Sequence, residues 1–393
     1  MNPSLDQINN RPICLVHDWL VTMRGGEKVL EAISELFPNA PIYTLFAKKE
    51  NLSPVLQKRE IRTSFLQWIP GIVYFYRWLL VLFPIAIRTL DLKQYDLVIS
   101  SSHCVAKGVH VNDGAVHICY CHTPMRYLWG FEEEYLGRFP KLFRFPINLY
   151  FNWLRKWDVQ VSKRVDCFVA NSKNTAGKIL SLYGKEAVVI NPPVDSTVNS
   201  TKVGRQPADP YYLIVSALVP YKRIDLAIEA FNKLKRPLKI VGNGPMRRAL
   251  QEKVSSEWIQ FEGWLDQKAM LDLYANCRAL IFPGEEDFGI APVEAQMFGK
   301  PVIAYGKGGV TETVLAHNET GNKRLAKEST GLFFYEQTPT ALIECVQELE
   351  RLEFNSPFIQ SHAERFNLKR FRDQFVDLFN RYPAMIHAAK SFK

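Results

Sequence analysis

Short apolar runs recur along the chain with turn signals and helical stretches between them, and this alternation constrains the fold most. The runs occupy residues 13–17, 96–100, 116–121, 166–170 and 188–190, and then 211–216, 238–242, 259–263, 279–282 and 301–304. Runs so rich in β-branched residues fit parallel strands that are buried on both faces. Strands that alternate with helices in this way predict an α/β fold built from doubly wound parallel sheets.

A polar stretch rich in Ser, Thr, Asn and Pro interrupts this pattern at 196–210 and is predicted to be an interdomain linker. With 393 residues, the chain is long enough for two domains. We assign 1–195 to an N-terminal Rossmann-like domain and 211–368 to a C-terminal Rossmann-like domain. Residues 369–393 begin with apolar positions at helical spacing, and this terminal helix could pack back on the N-terminal domain.

Net charge and cysteine usage limit which binding partners and which cellular compartment can be expected. The net charge of +9 predicts an acidic partner such as phosphate groups or anionic lipid. No arginine-rich tract or nucleic-acid module is visible, so no nucleic-acid partner is predicted. Seven cysteines without framework spacing favour a reducing cytosol, and residues 1–7 lack the regions of a signal peptide. A cytoplasmic location is expected.

Two segments, 65–88 and 139–157, interleave aromatic side chains with basic ones. Arg77 and two prolines make the first a poor membrane span, which needs about 20 apolar residues. Basic–aromatic amphipathic segments suit the lipid interface, so we predict peripheral association with the inner membrane surface. Ordinary core helices and a true span are the alternatives.

Two glutamates eight positions apart, Glu286 and Glu294, bracket the most informative loop. The apolar run at 279–282 ends at a proline, an acidic loop follows, and Pro292 suits the first turn of a helix. A strand, a loop and a helix N-terminus in this order can hold a phosphate, while carboxylates accept hydrogen bonds from sugar hydroxyls. The alternative is an acidic loop that only caps the helix.

Each half has a further candidate loop directly after its first strand. Arg24-Gly25-Gly26-Glu27 lets backbone N–H groups approach a phosphate, although a plain glycine turn explains it equally well. In the second half, Lys222 and Arg223 occupy the equivalent loop. A lysine there could neutralise a departing diphosphate, and a solvated surface charge is the alternative.

The stretches 17–20, 120–127, 218–225 and 285–294 together resemble the retaining glycosyltransferases of family 4, over roughly residues 12 to 380. The likeness is greatest to the mannosyltransferases of bacterial O-antigen and exopolysaccharide assembly. It implies the GT-B fold, with two Rossmann-like domains facing a central cleft, in which the domain at 1–195 would bind the acceptor and the domain at 211–368 the nucleotide sugar. It also implies transfer of α-mannose from GDP-mannose to a lipid-linked saccharide, with retention of configuration.

The resemblance assigns roles to particular residues. Gly25 and Gly26 would line the diphosphate and the donor sugar, and His122 would touch that sugar near the reacting carbon. Lys222 would bind the leaving diphosphate and Glu286 the sugar hydroxyls. The remaining donor-site residues are Glu294, at the ribose, and Arg223, Phe288, Gly289 and Ile290, with Gly308, Gly309 and Thr313 in a second loop.

One departure concerns Ala217, where the family usually has an arginine. Arg223 or Arg24 is hypothesised to replace that cation. No Asp-x-Asp pair is placed to hold a metal, so neither metal nor cofactor is predicted. Zinc at Cys119, Cys121 and His122 is disfavoured because strand alternation puts the histidine on the opposite face. A structural role for His122 stays open.

Three functional alternatives remain. The first is the same transfer with another nucleotide sugar. The second is a sugar-nucleotide epimerase or a phosphorylase on the same fold. The third is a catalytically weak subunit that binds the nucleotide sugar, which the change at Ala217 would explain.

Overall fold

A computed structural model describes residues 8–130, 141–194, 210–263, 265–321 and 324–381, without the side chains of 141–143. The described residues form two compact units. Unit 1 comprises residues up to Pro193 together with those from Lys369, and unit 2 runs from Val194 to Leu368. Except for Pro210, the predicted linker lies outside the described residues, as do 382–393.

Unit 1 contains a parallel sheet of seven strands in the order β3-β2-β1-β4-β5-β6-β7. The strands are β1 (Ile13–His17), β2 (Ile42–Thr44), β3 (Ile61–Thr63), β4 (Leu97–Ser102), β5 (Val116–Cys121), β6 (Cys167–Ala170) and β7 (Ala187–Val189). The helices before the linker are α1 (Gly25–Leu36), α2 (Pro54–Gln57), α3 (Ile72–Phe75), α4 (Phe83–Arg88), α5 (Lys141–Ser162) and α6 (Lys173–Tyr183). Short 3-10 turns lie at Lys49–Asn51, Phe65–Trp68, Tyr76–Leu82 and Ala106–Gly108.

Unit 2 contains a parallel sheet of six strands in the order β10-β9-β8-β11-β12-β13. Its strands are β8 (Tyr211–Val215), β9 (Leu238–Val241), β10 (Ile259–Gly263), β11 (Cys277–Phe282), β12 (Val302–Tyr305) and β13 (Gly331–Phe334). The helices are α7 (Ile224–Leu234), α8 (Arg247–Glu252), α9 (Gln267–Asn276), α10 (Ile290–Met297), α11 (Val310–Thr313), α12 (Pro339–Arg351) and α13 (Ser356–Ala363). Its 3-10 turns are Pro220–Lys222, Ala326–Glu328 and Glu364–Phe366.

The predicted class, two Rossmann-like doubly wound domains, is confirmed by these sheets. Each apolar run of the sequence lies in a strand, because a parallel strand between two helical layers is buried on both faces. The sequence pattern missed β2, β3 and β13. The first two, Ile-Tyr-Thr and Ile-Arg-Thr, contain at most two consecutive apolar residues, too few for a run to stand out, and β13 opens with a glycine.

The last described helix, α14 (Leu368–Arg381), belongs to unit 1 although the whole of unit 2 precedes it. Its buried Phe371 and Phe379 contact rings of that unit, Tyr120 at 6.2 Å and Phe37 at 5.9 Å between centroids. The helical spacing of its apolar residues therefore serves to cover part of the first sheet and its helices.

Candidate active site

The second sheet reverses its strand order between β8 and β11, and the loops after these strands bring Lys222 and Glu286 together. Lys222 ends the 3-10 turn after β8, and Glu286 lies between β11 and α10. Nζ of the lysine forms an ion pair with Oε1 of the glutamate, and the side chains are 11% and 18% exposed. Ligands of open parallel sheets bind beyond the strand C-termini at such a reversal. The pair therefore marks the ligand-binding edge of unit 2.

Gly284 allows these two loops to approach each other. A Cβ at this position would lie 2.8 Å from Cα of Lys222 and 2.8 Å from the carbonyl oxygen of Tyr221, so a larger residue would push the loops apart. The loop after β12 is tied to the same place, because the N–H of Gly309 donates to the carbonyl of Glu286 at 2.8 Å. Backbone contacts from two sides thus fix Glu286 before any ligand binds.

Glu294 lies one turn into α10, as the sequence predicted. The helix begins after Gly289, whose φ of 87° is a left-handed conformation that favours glycine. One carboxylate oxygen of Glu294 accepts a hydrogen bond from the hydroxyl of Tyr274 at 2.7 Å. Burial, and secondarily Glu294 itself, raises the pKa of Tyr274 well above its usual range, so the phenol keeps its proton. This bond orients the carboxylate at the helix start.

Two other predicted donor-site residues serve the packing of this loop. The Phe288 side chain is buried, and its ring lies 5.5 Å from that of Phe366 in an edge-on contact. Ile290 is half-buried against the same cluster. Their side chains therefore anchor the loop from beneath, so at Phe288 the backbone is the part that can contact a ligand.

Arg223 has a φ of 52°, unusual for a residue other than glycine, and this directs the chain from the Lys222 turn into α7. Its guanidinium is 3.4 Å from the carboxylate of Asp225 and 3.4 Å from the amide oxygen of Gln337. Ala217 stands where the family usually has an arginine, and Arg223 is the basic residue six positions further along the chain. Its guanidinium already contacts the acidic Asp225 and the neutral Gln337. The hypothesis that Arg223 or Arg24 replaces the missing arginine stays a prediction.

The first sheet also reverses its order, between β1 and β4, and His17, Ser101 and His122 meet there. His17 ends β1, Ser101 lies next to it on β4, and His122 follows β5. The hydroxyl oxygen of Ser101 is 3.1 Å from Nδ1 of His17 and 2.8 Å from Nε2 of His122. His103 completes a histidine cluster (His17, His103 and His122) whose ring centroids are 5.9 to 6.4 Å apart.

Asp18, fully buried, organises the turn that carries His103. Its carboxylate accepts backbone hydrogen bonds from His103, Cys104, Val105 and Ala106 at 2.6 to 2.9 Å. Nδ1 of His103 lies 3.0 Å from the same carboxylate. A buried carboxylate needs such a set of donors to offset the loss of water. Asp18 therefore acts as the structural centre of the 103–108 turn.

Two of the three histidines, buried His17 and half-buried His103, have a lowered pKa and are neutral at physiological pH. Burial lowers the pKa of His17 to about 3, with His103 as a secondary cause. Burial likewise lowers the pKa of His103 to about 3, helped by Arg126. A neutral imidazole both donates and accepts a hydrogen bond, so His17 and His103 can order hydroxyl groups but add no positive charge for a diphosphate.

The glycine turn of the sequence lies against this cluster. Helix α1 begins at Gly25, and a Cβ on Gly26 would lie 3.6 Å from Nε2 of His122 and 3.7 Å from Cε1 of His17. The backbone N–H of Arg24 donates to the Glu27 carboxylate at 3.1 Å, which caps the helix. The structure thus brings Gly26 and His122 together within unit 1.

An ion pair beneath the 103–108 turn is fully buried. Nζ of Lys107 is 2.6 Å from the Asp158 carboxylate, and the side chains are 1% and 0% exposed. Asp158 also accepts hydrogen bonds from the Trp129 indole at 2.9 Å and from the Tyr183 hydroxyl at 2.7 Å. Burial alone would lower the pKa of Lys107, but Asp158 raises it on balance. The network ties helix α5, which carries Asp158, to the turn that Asp18 organises.

The two basic–aromatic segments share the core of unit 1 and leave a set of large apolar side chains at the surface. The Tyr150 hydroxyl of α5 donates to the Leu80 carbonyl at 3.2 Å, which joins the two segments. Exposed on them, as the aromatic surface, are Phe65, Trp68, Tyr74, Trp78, Val81, Ile85, Phe145, Leu149 and Trp153. Of the helices formed by described residues, none combines the length and the apolarity needed to cross a bilayer.

Sequence reasoning did not identify Ser101 or Asp18 as part of a site. The available signals were polar residues where an apolar strand ends: His17-Asp18 after β1 and three consecutive serines, 100–102, at the end of β4. Polar side chains at the carboxyl ends of strands in a doubly wound sheet lie at the ligand-binding edge. That rule, applied to each strand, would have found both.

Known proteins agree with this architecture. Over 94% of this chain and 99% of that one, the structure of Anabaena HepE in complex with UDP and glucose superposes with a TM-score of 0.65 at 15% identity. Sucrose-phosphate synthase from Thermosynechococcus elongatus covers 95% of this chain and all of its own length, with a TM-score of 0.64 and 17% identity. These similarities define the fold as that of the GT-B glycosyltransferases.

Two family models match adjacent parts of the chain. The model for Glycosyltransferase Family 4 matches 42–198, and the one for Glycosyl transferases group 1 matches 195–366. The chain therefore contains a Glycosyltransferase Family 4 domain, as the sequence resemblance indicated, followed by a Glycosyl transferases group 1 domain.

Curated relatives are distant. The O-antigen chain mannosyltransferase C of Escherichia coli is 26% identical over 242 residues, 57% of this chain and 62% of that protein. The alpha-1,3/1,6-mannosyltransferase ALG2 of Saccharomyces cerevisiae is 25% identical over 279 residues, 57% of this chain and 53% of that protein. The matched part of this chain thus spans less than two thirds of either relative.

Proposed function

We propose that this glycosyltransferase is a retaining hexosyltransferase that moves α-mannose from GDP-mannose to a lipid-linked saccharide during assembly of a surface polysaccharide. The observation that carries the proposal is the Lys222–Glu286 ion pair at the strand reversal of unit 2, with Glu294 on the helix that follows. The mannosyltransferases of Escherichia coli and yeast among the relatives support the choice of sugar.

The pair supplies both charges that a nucleotide-sugar donor requires. Lys222 would turn from Glu286 to the leaving diphosphate, and Glu286 would then accept hydrogen bonds from the sugar hydroxyls. Glu294, oriented by Tyr274, would accept hydrogen bonds from the ribose diol. Lys222 and backbone N–H groups neutralise the diphosphate, so the proposal requires no metal ion or other cofactor.

Retention follows from transfer on one face of the sugar. The bond from the anomeric carbon to the diphosphate oxygen breaks, and the acceptor oxygen bonds to the same face of that carbon. The acceptor proton passes to the leaving diphosphate, which serves as the base. His122, with Gly26 beside it, would position the donor sugar at the edge of unit 1.

A lipid-linked acceptor requires access to the membrane surface. The aromatic surface of unit 1 has Trp68, Tyr74 and Trp78 exposed at 84%, 80% and 67%. Aromatic side chains near basic ones suit the headgroup region of an anionic bilayer, and the net charge of +9 adds attraction. We therefore place the protein at the cytoplasmic face of the inner membrane, docked by segments 65–88 and 139–157.

The test measures donor use directly. Purified protein is incubated separately with GDP-mannose, GDP-fucose, UDP-glucose and UDP-N-acetylglucosamine, and released nucleoside diphosphate and thermal stabilisation are followed, with and without EDTA. We expect GDP-mannose alone to be hydrolysed, and EDTA to leave the rate unchanged. Glu286→Gln removes the charge that pairs with Lys222 and is expected to lower kcat/KM about 10- to 150-fold, since a charge-assisted contact contributes about 1.5–3 kcal/mol.

Glu285→Gln is the matched control, because the neighbouring Glu285 pairs instead with Lys307 at 3.4 Å in an exposed contact. Its rate should stay near that of the wild type. Preference for a different donor would overturn the assignment of mannose. Loss of activity on addition of EDTA would overturn the proposal that no metal ion is required. Interconversion of free nucleotide sugars would indicate an epimerase. Stabilisation by donor without turnover, even with acceptor lipid, would indicate a binding subunit weakened by Ala217.

A further inference from the structure

We propose that Ser101 is a positioning residue for His122: its hydroxyl donates a hydrogen bond to Nε2 of His122 and thereby fixes the imidazole proton on Nδ1. The effect on catalysis rests on the proposed function, in which His122 contacts the donor sugar. The hydrogen bond and the tautomer do not depend on that function.

The geometry leaves Ser101 with two ring partners and one proton. Its oxygen lies 3.1 Å from Nδ1 of His17 and 2.8 Å from Nε2 of His122. A serine hydroxyl has a single O–H and can donate to only one ring, while accepting from both rings would leave that hydrogen without an acceptor among the described residues, so it donates to one ring and accepts from the other. The direction of the two hydrogen bonds between His17, Ser101 and His122 therefore determines which nitrogen of His122 carries hydrogen.

The surroundings of His17, at one end of this hydrogen-bonded series, determine which ring receives the Ser101 proton. Nε2 of His17 is buried and has no hydrogen-bond partner among the described residues. If Ser101 donated to His17, the neutral ring would carry its hydrogen on that partnerless nitrogen. An orphaned buried N–H is rarer than an under-used acceptor. His17 therefore donates from Nδ1 to Ser101, and Ser101 donates to His122.

This order has a chemical consequence at the site. Burial keeps His17 neutral, with a pKa of about 3, so the direction of the chain holds throughout the physiological range. His122 then carries its hydrogen on Nδ1, while Ser101 occupies Nε2, the nitrogen that faces Gly26. Without the hydroxyl, Nε2 loses this donor, and the preference for hydrogen on Nδ1 weakens.

The same strand provides a matched control. Ser100, the preceding residue, also hydrogen-bonds a buried histidine, Nε2 of His117, at 2.8 Å. Alternation along β4 places Ser100 on the opposite face of the sheet from Ser101. Ser100→Ala thus removes a serine–histidine hydrogen bond of equal length without touching the histidine cluster.

The experiment is histidine 15N NMR on the ligand-free, full-length protein, which needs no substrate. We expect His122 of the wild type to show the Nδ1–H tautomer, Ser101→Ala to show a tautomer mixture, and Ser100→Ala to leave the His122 signals unchanged. An Nε2–H tautomer in the wild type, or unchanged His122 signals in Ser101→Ala, would overturn the proposal. The wild-type spectrum decides even if a variant folds poorly.

Kinetics then separate positioning from catalysis. Ser101→Ala should lower kcat about tenfold, the size of one lost hydrogen bond, with little change in KM, and Ser100→Ala should lower stability without lowering kcat. If the tautomer is as proposed but the wild type transfers no sugar, the proposed function fails while the assignment of Ser101 stands. An unchanged kcat in a variant with a mixed tautomer would overturn the positioning role.

Discussion

The buried Lys107–Asp158 pair allows a stability prediction with a large expected effect. Lys107→Met keeps the length of the side chain but leaves the Asp158 carboxylate buried without its cation. Removing one partner of a buried pair typically costs about 3–5 kcal/mol, because the remaining charge stays desolvated. Both side chains here are at most 1% exposed, so water cannot reach the charge and the full range applies.

A second substitution tests the origin of that cost. Asp158→Asn removes the charge and keeps an amide oxygen for the Trp129 indole and the Tyr183 hydroxyl. The double variant should therefore be more stable than Lys107→Met alone, and the two effects should be less than additive by at least about 2 kcal/mol. Lys239→Met is the control, since its 3.0 Å pair with Glu262 is nearly 30% exposed and should cost at most about 1 kcal/mol.

Urea unfolding at pH 7.5, followed by near-UV circular dichroism, measures these differences, with the transitions of the two units fitted separately. Strict additivity of Lys107→Met and Asp158→Asn would refute the account, since it would mean that the two charges do not compensate each other. A cost for Lys107→Met no larger than that of Lys239→Met would refute it equally.

Three further outcomes are expected. Burial lowers the pKa of His117 to about 4. Its neutral form therefore stabilises the fold above pH 6.5, and that contribution is lost as pH falls toward 4. In urea titrations, His117→Gln should reduce the destabilisation at pH 5 by about 2 kcal/mol. Burial raises the pKa of Glu27 to about 7, so its stabilising, protonated form is lost as pH rises from 4.5 through 7. Glu27→Gln should therefore raise Tm at pH 8 relative to the wild type but not at pH 4.5, by an amount equivalent to about 3 kcal/mol; a pH-independent difference would contradict this. Trp78→Ala should reduce sedimentation with phosphatidylglycerol vesicles, whereas Trp258→Ala, which alters an exposed tryptophan of unit 2, should not; equal loss in both would contradict docking by the aromatic surface.

The sequence predicted the parts of the site that follow from local pattern and topology. Lys222 and Glu286 were each assigned to a loop after a strand, and loops after neighbouring parallel strands meet at one sheet edge, so their contact follows from the fold class. The positions of the apolar strands were predictable for the same reason, because burial on both faces requires continuous apolar runs.

Other parts depend on contacts between distant residues that no local pattern encodes. Asp18 accepts hydrogen bonds from a turn 85 to 88 positions further on, and Ser101 contacts a ring 84 positions earlier. Whether a polar residue at a strand end caps a turn or orders a ring depends on which loop folds over it. Phe288 illustrates the converse, since a residue assigned to donor binding places its side chain in the core.

The position of α14 has a consequence for synthesis on the ribosome. Phe371, Phe375 and Phe379 of this helix are buried in unit 1, yet they are translated only after all of unit 2. Unit 2, by contrast, is a continuous stretch that can fold as soon as it has emerged. The apolar face around Phe37 and Tyr120 therefore stays uncovered until α14 has emerged behind the whole of unit 2. During that interval the unfinished N-terminal unit is the part of the molecule that chaperones would bind.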